Sequence, residues 1–175
     1  MNIRDAIYAR RSIRKYEDRP VEREKLVELC RLAAAAPSAV NRCPWEFVVV
    51  DAPEGMAALR ATMRFGKFHA PAAIVVCGNT ERFLPGDARD YWLEDTAAAM
   101  ENLLLGTLDL ELGACWLGCA PQPDNIRKVS ALLRLPKHLV PMGVAYVGYP
   151  AETPEPRTQF LETTLHWQDA GADRA

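Results

Sequence analysis

The feature that most constrains the fold of this chain is a helical pattern over residues 91–112 that is apolar on most of its sides. Leu103, Leu104 and Leu105 follow one another inside it, so no rotation about the helix axis gathers the apolar side chains onto one face. A helix of this kind is buried, often against a second subunit. Gly113 is expected to end it. The pattern therefore predicts a long helix at the centre of the fold.

Shorter apolar segments predict the strands around this helix. Residues 72–77 are continuously apolar and rich in Ile and Val, which is typical of a strand buried on both faces. Further strands are predicted at residues 45–50, 114–117 and 140–147, and short helices at residues 54–63 and 123–133. Near the N-terminus, Asn2 is placed to cap a first helix, with Asp5 in its first turn. A second helix is expected to open at Pro20 and to end at Pro37.

Charge and composition exclude several classes of protein. The 175 residues carry a formal net charge of −2, which argues against nucleic acid as a partner because no excess positive field neutralises a phosphate backbone. No apolar run approaches membrane-spanning length, and no apolar signal segment opens the chain. The five cysteines lack disulfide spacing and the three histidines are scattered, so we expect reduced cysteines, no metal site and a cytoplasmic location. Residues 1–175 are expected to form a single domain.

A tail over residues 150–167 differs in kind from the rest of the chain. Pro150, Pro154 and Pro156 favour an extended backbone. The same segment carries large apolar side chains, namely Phe160, Leu161, Leu165 and Trp167. Large apolar groups on an extended tail need a surface to cover them. Two surfaces fit equally well at this point: the tail's own domain, or a second subunit.

A basic run near the start of the chain suits a small phosphate-bearing ligand. It reads Arg10-Arg11-Ser12-Ile13-Arg14-Lys15-Tyr16. Guanidinium groups bind phosphate oxygens two at a time, and a serine hydroxyl adds a further donor. On its own the run is better explained as a solvated basic turn, so the ligand hypothesis depends on the other segments.

Those segments are present, in a characteristic order. The basic run is followed by Ala36-Pro37-Ser38-Ala39-Val40-Asn41-Arg42-Cys43-Pro44-Trp45-Glu46-Phe47, then by residues 95–103 of the long helix and by Leu112-Gly113-Ala114-Cys115-Trp116-Leu117-Gly118, and finally by Gly148-Tyr149-Pro150-Ala151, Arg157 and His166-Trp167. In this order and spacing, and over nearly its whole length, the chain resembles the nitroreductase family of FMN-dependent oxidoreductases.

The resemblance implies an α+β fold with a mixed central β-sheet flanked by helices. It also implies an intertwined homodimer with two FMN sites at the interface, in which residues 151–175 form an extended C-terminal tail that packs on the partner subunit. The implied phosphate ligands are Arg10, Arg11, Ser12, Arg14 and Arg157. The other implied flavin contacts are Pro37, Ser38, Ala39 and Asn41 from the second subunit, Leu117 and Gly118 from a backbone turn, and Lys67 near the pyrimidine side of the ring. Ser38 and Asn41 fit a turn after Pro37 nearly as well.

Two features depart from the family's pattern. Cys43 stands where Gln is common, and nothing in the sequence marks its thiol as redox-active. Residues 79–90 are too few to build a helical lid, so we expect an open flavin face lined by Phe83, Tyr91 and Trp92. The indole side chains Trp45 and Trp116 are expected in the core.

The function implied by the resemblance is hydride transfer from NADH or NADPH, through FMN, to a small electron-poor acceptor such as a nitroaromatic or a quinone, with ping-pong kinetics. The flavin carries the chemistry, so no catalytic side chain and no metal ligand is assigned. Two alternatives stay open. One is a flavin-binding carrier or sensor without turnover; the other is an enzyme of the same fold with a different reaction, such as reductive dehalogenation, enoate reduction or cleavage of the flavin.

Overall fold

The computed structural model describes residues 2–167. Within them the helices are α1 (Ile3–Ala9), α2 (Arg23–Ala34), α3 (Pro53–Thr62), α4 (Tyr91–Asp109) and α5 (Pro123–Leu132). The strands are β1 (Trp45–Val50), β2 (Ala72–Asn79), β3 (Gly113–Gly118) and β4 (Leu139–Gly148). The predicted α+β class is confirmed, and so is the cap of α1, where the Asn2 side chain accepts a hydrogen bond from the backbone N–H of Asp5. Helix α2 begins after Glu22, later than the start predicted at Pro20.

The sheet has the strand order β1-β2-β4-β3, and each neighbouring pair is antiparallel. The resemblance implied a mixed sheet, with both parallel and antiparallel strand pairs. In the described part of the chain, the parallel pairing consists of one bridge, between Ser12 and Ala114. This pairing does not extend because the next two backbone N–H groups, those of Arg14 and Lys15, donate to the carboxylate of Glu152 instead of to β3. Strands β1 and β3 therefore form the two edges of the sheet.

Alternating side chains of the sheet build a core on each face. On one face Ile74 and Val76 pack with Leu29 of α2 and Leu103 of α4. On the other face the cluster contains Val75, Tyr146 and residues of α3 and α5. The strand β2 is buried along its whole length, as its unbroken apolar run predicted. Helix α4 is central as expected, because its buried face extends from Trp92 to Thr107.

The two ends of the chain leave apolar side chains exposed. Helix α1 has no buried residue, and Ile3 is 78% exposed. The tail runs back along the N-terminal segment through backbone hydrogen bonds from Ala151 to Lys15 and from Arg157 to Tyr8. Its four large apolar side chains stay between 48% and 78% exposed. Residues 168–175 of the predicted tail lie outside the described residues. Among the described helices none is long and apolar enough to cross a membrane.

Candidate flavin site

Two cavities open at the same end of the sheet. This end is defined by paired residues on neighbouring strands, Trp45 with Gly78 and Gly118 with Gly143. One cavity, called here the β3 cavity, is lined by Arg14, Met63, Arg64, Phe65, Cys115, Trp116, Leu117, Gly118 and Asn125. The other, called here the loop cavity, is lined by Pro37, Ser38, Ala39, Tyr91, Glu94, Asp95 and Ala98. Half of the residues predicted from the sequence to contact a flavin line one of these two cavities, namely Arg14, Leu117 and Gly118 in the first and Pro37, Ser38 and Ala39 in the second.

The end of strand β3 forms the floor of the β3 cavity. Because β3 is an edge strand, backbone groups along its outer side are available to a ligand. A Cβ atom built on Gly118 would have no neighbour within 4 Å, so space is open directly above this residue. Trp116 is 38% exposed and lines the cavity, which makes its predicted place in the core wrong. Trp116 and Gly118 share the face of β3 that is exposed at the end of the strand, whereas Cys115 and Leu117 on the other face are buried. Trp45, in contrast, is buried as predicted.

The segment after α3 forms one wall of the β3 cavity. The Tyr146 hydroxyl donates to the Gly66 carbonyl at 3.3 Å, and a Cβ on Gly66 would lie only 2.6 Å from Cδ1 of Leu117. This close contact holds the segment against β3 and directs Arg64 and Phe65 into the cavity. The Arg64 guanidinium lies 5.1 Å from the centre of the Phe65 ring. The sequence prediction missed both residues, together with Asn125, whose amide donates to the Gly118 carbonyl at 3.3 Å.

The side chains of the basic run point in different directions and contact different parts of the protein. Arg14 lines the β3 cavity, and Ser12 hydrogen-bonds to the cavity thiol of Cys115. Burial raises the pKa of that thiol, while Arg14 and the Ser12 hydrogen bond oppose the rise. The alternate residue Arg11 instead donates to the Glu155 carbonyl of the tail. Arg10 forms an ion pair with Glu101 of α4 at 3.2 Å.

Two other predicted ligands lie away from both cavities. The Lys67 ammonium donates to the carbonyls of Arg60 and Ala61 at 3.1 and 2.9 Å, so it caps the C-terminal end of α3. Arg157 is attached by its backbone beside Tyr8 of α1. Their assignment to a flavin remains a prediction. Within residues 2–167, no group of three or more His, Cys, Asp or Glu side chains could hold a metal ion.

The loop cavity is built on a tightly held turn. The Ser38 hydroxyl accepts a hydrogen bond from the Cys43 N–H at 2.9 Å, so the turn role considered for Ser38 is realised. The Ala39 N–H donates to the Asp95 carboxylate at 2.7 Å. This bond joins the turn to α4. Asn41 lies in the same turn, with its side-chain oxygen 3.5 Å from the thiol of Cys43.

The predicted aromatic lining of this region is mostly wrong. Phe83 and Trp92 stack on each other with ring centres 4.9 Å apart and are buried. They cover Gly78, where a Cβ would lie 2.4 Å from the Trp92 ring. Because Gly78 has no side chain, both rings can be buried against it. Of the three aromatic residues predicted to line the flavin face, only Tyr91 lines the loop cavity. The connection between β2 and α4 contains two single 3₁₀ turns, Thr80–Arg82 and Gly86–Ala88, in agreement with the prediction of no helical lid.

The two cavities lie at opposite edges of the sheet. The loop cavity adjoins the start of β1 and the β3 cavity adjoins the end of β3, so three interstrand spacings, about 14 Å, separate the two strands. The cavities share no lining residue. Their charges differ as well, because Arg14 and Arg64 line the β3 cavity whereas Glu94 and Asp95 line the loop cavity. One chain therefore does not gather the predicted contacts into one site.

Comparison with known proteins identifies close relatives of this architecture. The profile of the Nitroreductase family matches residues 7–66 and 60–149. A candidate NADH dehydrogenase/NAD(P)H nitroreductase of Methanothermobacter thermautotrophicus is 37% identical over 169 residues, which covers 95% of this chain and 86% of that protein. The crystal structure of a protein described in the same words from Parabacteroides distasonis has a TM-score of 0.87 and 38% identity, and covers 94% of this chain and 96% of that one.

A third comparison concerns a structure with a bound cofactor. A candidate nitroreductase from Desulfovibrio desulfuricans, solved in complex with FMN, has a TM-score of 0.79 and 29% identity. The similarity covers 97% of this chain and 98% of that one.

Proposed function

Since the chain belongs to the nitroreductase family, we propose that it transfers hydride from NADH or NADPH to a small electron-poor acceptor, such as a nitroaromatic or a quinone, by a ping-pong mechanism that depends on FMN. It is an FMN-dependent NAD(P)H oxidoreductase. The observation that carries the proposal is the β3 cavity, where two guanidinium groups stand beside an open backbone edge at Gly118. Bound FMN would supply the chemistry, by accepting hydride from the nicotinamide and donating it to the acceptor.

The donors of the β3 cavity fit the chemistry of FMN. Arg14 and the Ser12 hydroxyl would hold the phosphate, since charge-assisted bonds from guanidinium are the strong ones for phosphate oxygens. The space above Gly118 lets a planar ring approach the backbone closely. Phe65, which is 73% exposed, offers an aromatic surface beside it. The predicted ligands Arg10 and Arg11 would join the phosphate group only if Glu101 and the Glu155 carbonyl release them, and Arg157 only if the tail moves from its place beside Tyr8.

We assign to Arg64 the role that the family resemblance implies for Lys67. Negative charge develops at the pyrimidine edge of a flavin on reduction, and a fixed cation at that edge stabilises it. The Arg64 side chain lines the β3 cavity, whereas the Lys67 ammonium is engaged with the last carbonyls of α3. Arg64 is therefore the cation better placed for this task.

A complete site would need a second copy of the chain. The loop cavity holds Pro37, Ser38 and Ala39, which are the predicted contacts from the other subunit, and it cannot reach the β3 cavity of its own chain across the sheet. Two copies related by a two-fold axis would bring a loop cavity to each β3 cavity, and the opposite charges of the two linings favour this contact. The exposed apolar side chains of the tail support its crossing to the partner.

The surroundings of the site impose little selection on the acceptor. Over residues 79–90 the structure has only single 3₁₀ turns, so the site is open to a planar acceptor. Strong discrimination requires buried polar groups that a wrong substrate leaves unpaired. All five cysteines are free and three are buried, which supports an enzyme that works in a reducing compartment such as the cytoplasm.

An anaerobic titration tests this function. The purified protein, saturated with FMN, is mixed with NADH and separately with NADPH, and the absorbance of oxidised flavin is followed; a nitroaromatic or a quinone is then added. We expect rapid bleaching by at least one nicotinamide and recovery on addition of the acceptor. Flavin that binds but is not bleached by either nicotinamide would instead support a carrier or sensor. Failure to bind FMN at all would contradict the assignment of the cavity.

A further inference from the structure

The turn between α2 and β1 has an unfavourable backbone conformation. Val40 has φ 43° and ψ 32°, Asn41 has φ 57° and Cys43 has φ 45°. This left-handed region is disfavoured for residues other than glycine, and a β-branched residue such as valine is the worst fitted to it. Within its own chain Val40 gains no packing in return, since it is 77% exposed. Contacts from outside the turn must therefore hold it in this shape.

Those contacts come from two directions. On one side, the turn is joined to the 3₁₀ turn Thr80–Arg82, because the Arg42 guanidinium donates to the Arg82 carbonyl and the Arg82 guanidinium donates to the Cys43 carbonyl, each at 3.1 Å. On the other side, the Asp95 carboxylate of α4 accepts the Ala39 N–H at 2.7 Å. Asp95 thus ties the turn to helix α4 by a hydrogen bond, and it acts next to Val40.

A carboxylate is unusual at the buried position that Asp95 occupies on α4. It is only 7% exposed, and none of the ion pairs among the described residues involves it. A buried carboxylate without a cation is unfavourable for folding, so general stability is a poor explanation of its presence. Its hydrogen bond goes to the turn that carries Ser38, Ala39 and Asn41.

We propose that Asp95 is a positioning residue that holds the turn of residues 38–43 in its left-handed conformation and so presents Ser38, Ala39 and Asn41 to the flavin of the partner subunit. Without the carboxylate, Val40 would adopt a favoured backbone conformation with negative φ, and the turn would move away from the loop cavity. The flavin part of this proposal rests on the proposed function, whereas the conformational part does not.

The test combines removal of the carboxylate with relief of the conformational penalty. Asp95→Ala removes the hydrogen bond from the Ala39 N–H. Val40→Gly removes most of the conformational free-energy cost of the turn, because glycine adopts positive φ without cost. The first readout is the rate at which a thiol reagent modifies Cys43, resolved by peptide mass mapping; half-buried Cys30 in α2 serves as an internal reference. The second readout is the dissociation constant for FMN. Glu94→Ala is the matched control, since it removes a carboxylate from the same cavity without touching the turn.

We expect Asp95→Ala to speed modification of Cys43 and to weaken FMN binding, each by about tenfold or more, the effect of losing a hydrogen bond to a charged group. The double variant should recover most of both losses, and Glu94→Ala should not change the Cys43 rate. A structural defect unrelated to the turn would not be corrected by Val40→Gly, so failure of that recovery overturns the proposal. An unchanged Cys43 rate in Asp95→Ala overturns it too.

Misfolding of Asp95→Ala and failure of the wild-type protein to bind FMN lead to different conclusions. If Asp95→Ala does not fold, Asp95→Leu replaces it; this variant keeps most of the side-chain volume and has no oxygen to accept the Ala39 N–H, and its Cys43 rate must rise for the proposal to stand. If the Cys43 rates behave as expected but the wild-type protein binds no FMN, the positioning of the turn stands and the proposed function fails.

Discussion

Arg64 and Lys67 give opposite expectations for a pair of alanine substitutions. Arg64 lines the β3 cavity, so Arg64→Ala should remove a charge-assisted interaction with the flavin, worth about 1.5–3 kcal/mol in full. The Arg64 side chain is exposed, and water screening reduces this value toward its lower limit. We therefore expect about a tenfold increase in the dissociation constant for FMN, with little change in folding stability.

The effect of Lys67→Ala should fall on stability instead. Its ammonium interacts with two carbonyls at the C-terminal end of α3, and a cation at this position contributes about 0.3–1 kcal/mol. The melting temperature should fall by about 1–4 °C for a chain of this length, and FMN affinity should change by less than about twofold.

Fluorescence titration with FMN and thermal unfolding are measured for both variants. Arg31→Ala controls for the loss of one positive charge, because Arg31 pairs with Glu28 on the surface of α2. A larger loss of FMN affinity in Lys67→Ala than in Arg64→Ala would refute the assignment of Arg64 and restore the residue predicted from the sequence.

Three further predictions concern stability and the tail. A hydrogen bond from the Tyr149 hydroxyl lowers the pKa of Glu22 from 4.5 to about 2. This contact therefore stabilises the protein above about pH 4.5, and its contribution is lost as the pH falls toward 2. In Tyr149→Phe, the urea midpoint of unfolding should depend less steeply on pH over this acid range. Gly78→Ala should lower the free energy of unfolding in urea by about 1–3 kcal/mol, because the new methyl group would collide with Trp92; an unchanged value would mean that the aromatic stack moves at no cost. Removal of the residues after Pro156 should weaken both dimerisation and FMN binding in sedimentation and titration experiments; a truncated protein that keeps both would contradict tail exchange.

The sequence predicted the strands and the central helix well because burial dominates both. Strand β1 matches its predicted bounds, and β2 extends two residues beyond its apolar run to Asn79. The start of α2 was less predictable. Residues before Arg23 stay extended because Glu22 bonds to Tyr149, a residue 127 positions away, and local propensity contains no trace of such a contact.

The candidate site was predicted only in part, for reasons of geometry. Arg14, Leu117 and Gly118 line one cavity, and Ser12 pairs with Ala114 on the same strand; their contact with a flavin stays a prediction. Arg64 and Phe65 were missed because their direction depends on the close packing of a glycine under a buried tyrosine. The role of Asp95 was equally hidden, since an unfavourable backbone conformation cannot be seen in the residue types of the turn.

If two chains share each flavin site, mixed dimers of two complementary variants will reveal the sharing. Gly118→Trp would fill the β3 cavity, where a side chain has room, and Ser38→Trp would block the loop cavity. Neither variant alone should bind FMN. The two variants are co-expressed with different tags, mixed dimers are isolated through both tags, and bound FMN is counted per dimer.

In a mixed dimer one of the two shared sites has an intact β3 cavity from the Ser38→Trp chain and an intact loop cavity from the Gly118→Trp chain. We therefore expect one FMN per mixed dimer. If each flavin site belonged to a single chain, every chain would carry a defect, and a mixed dimer without FMN would contradict the account.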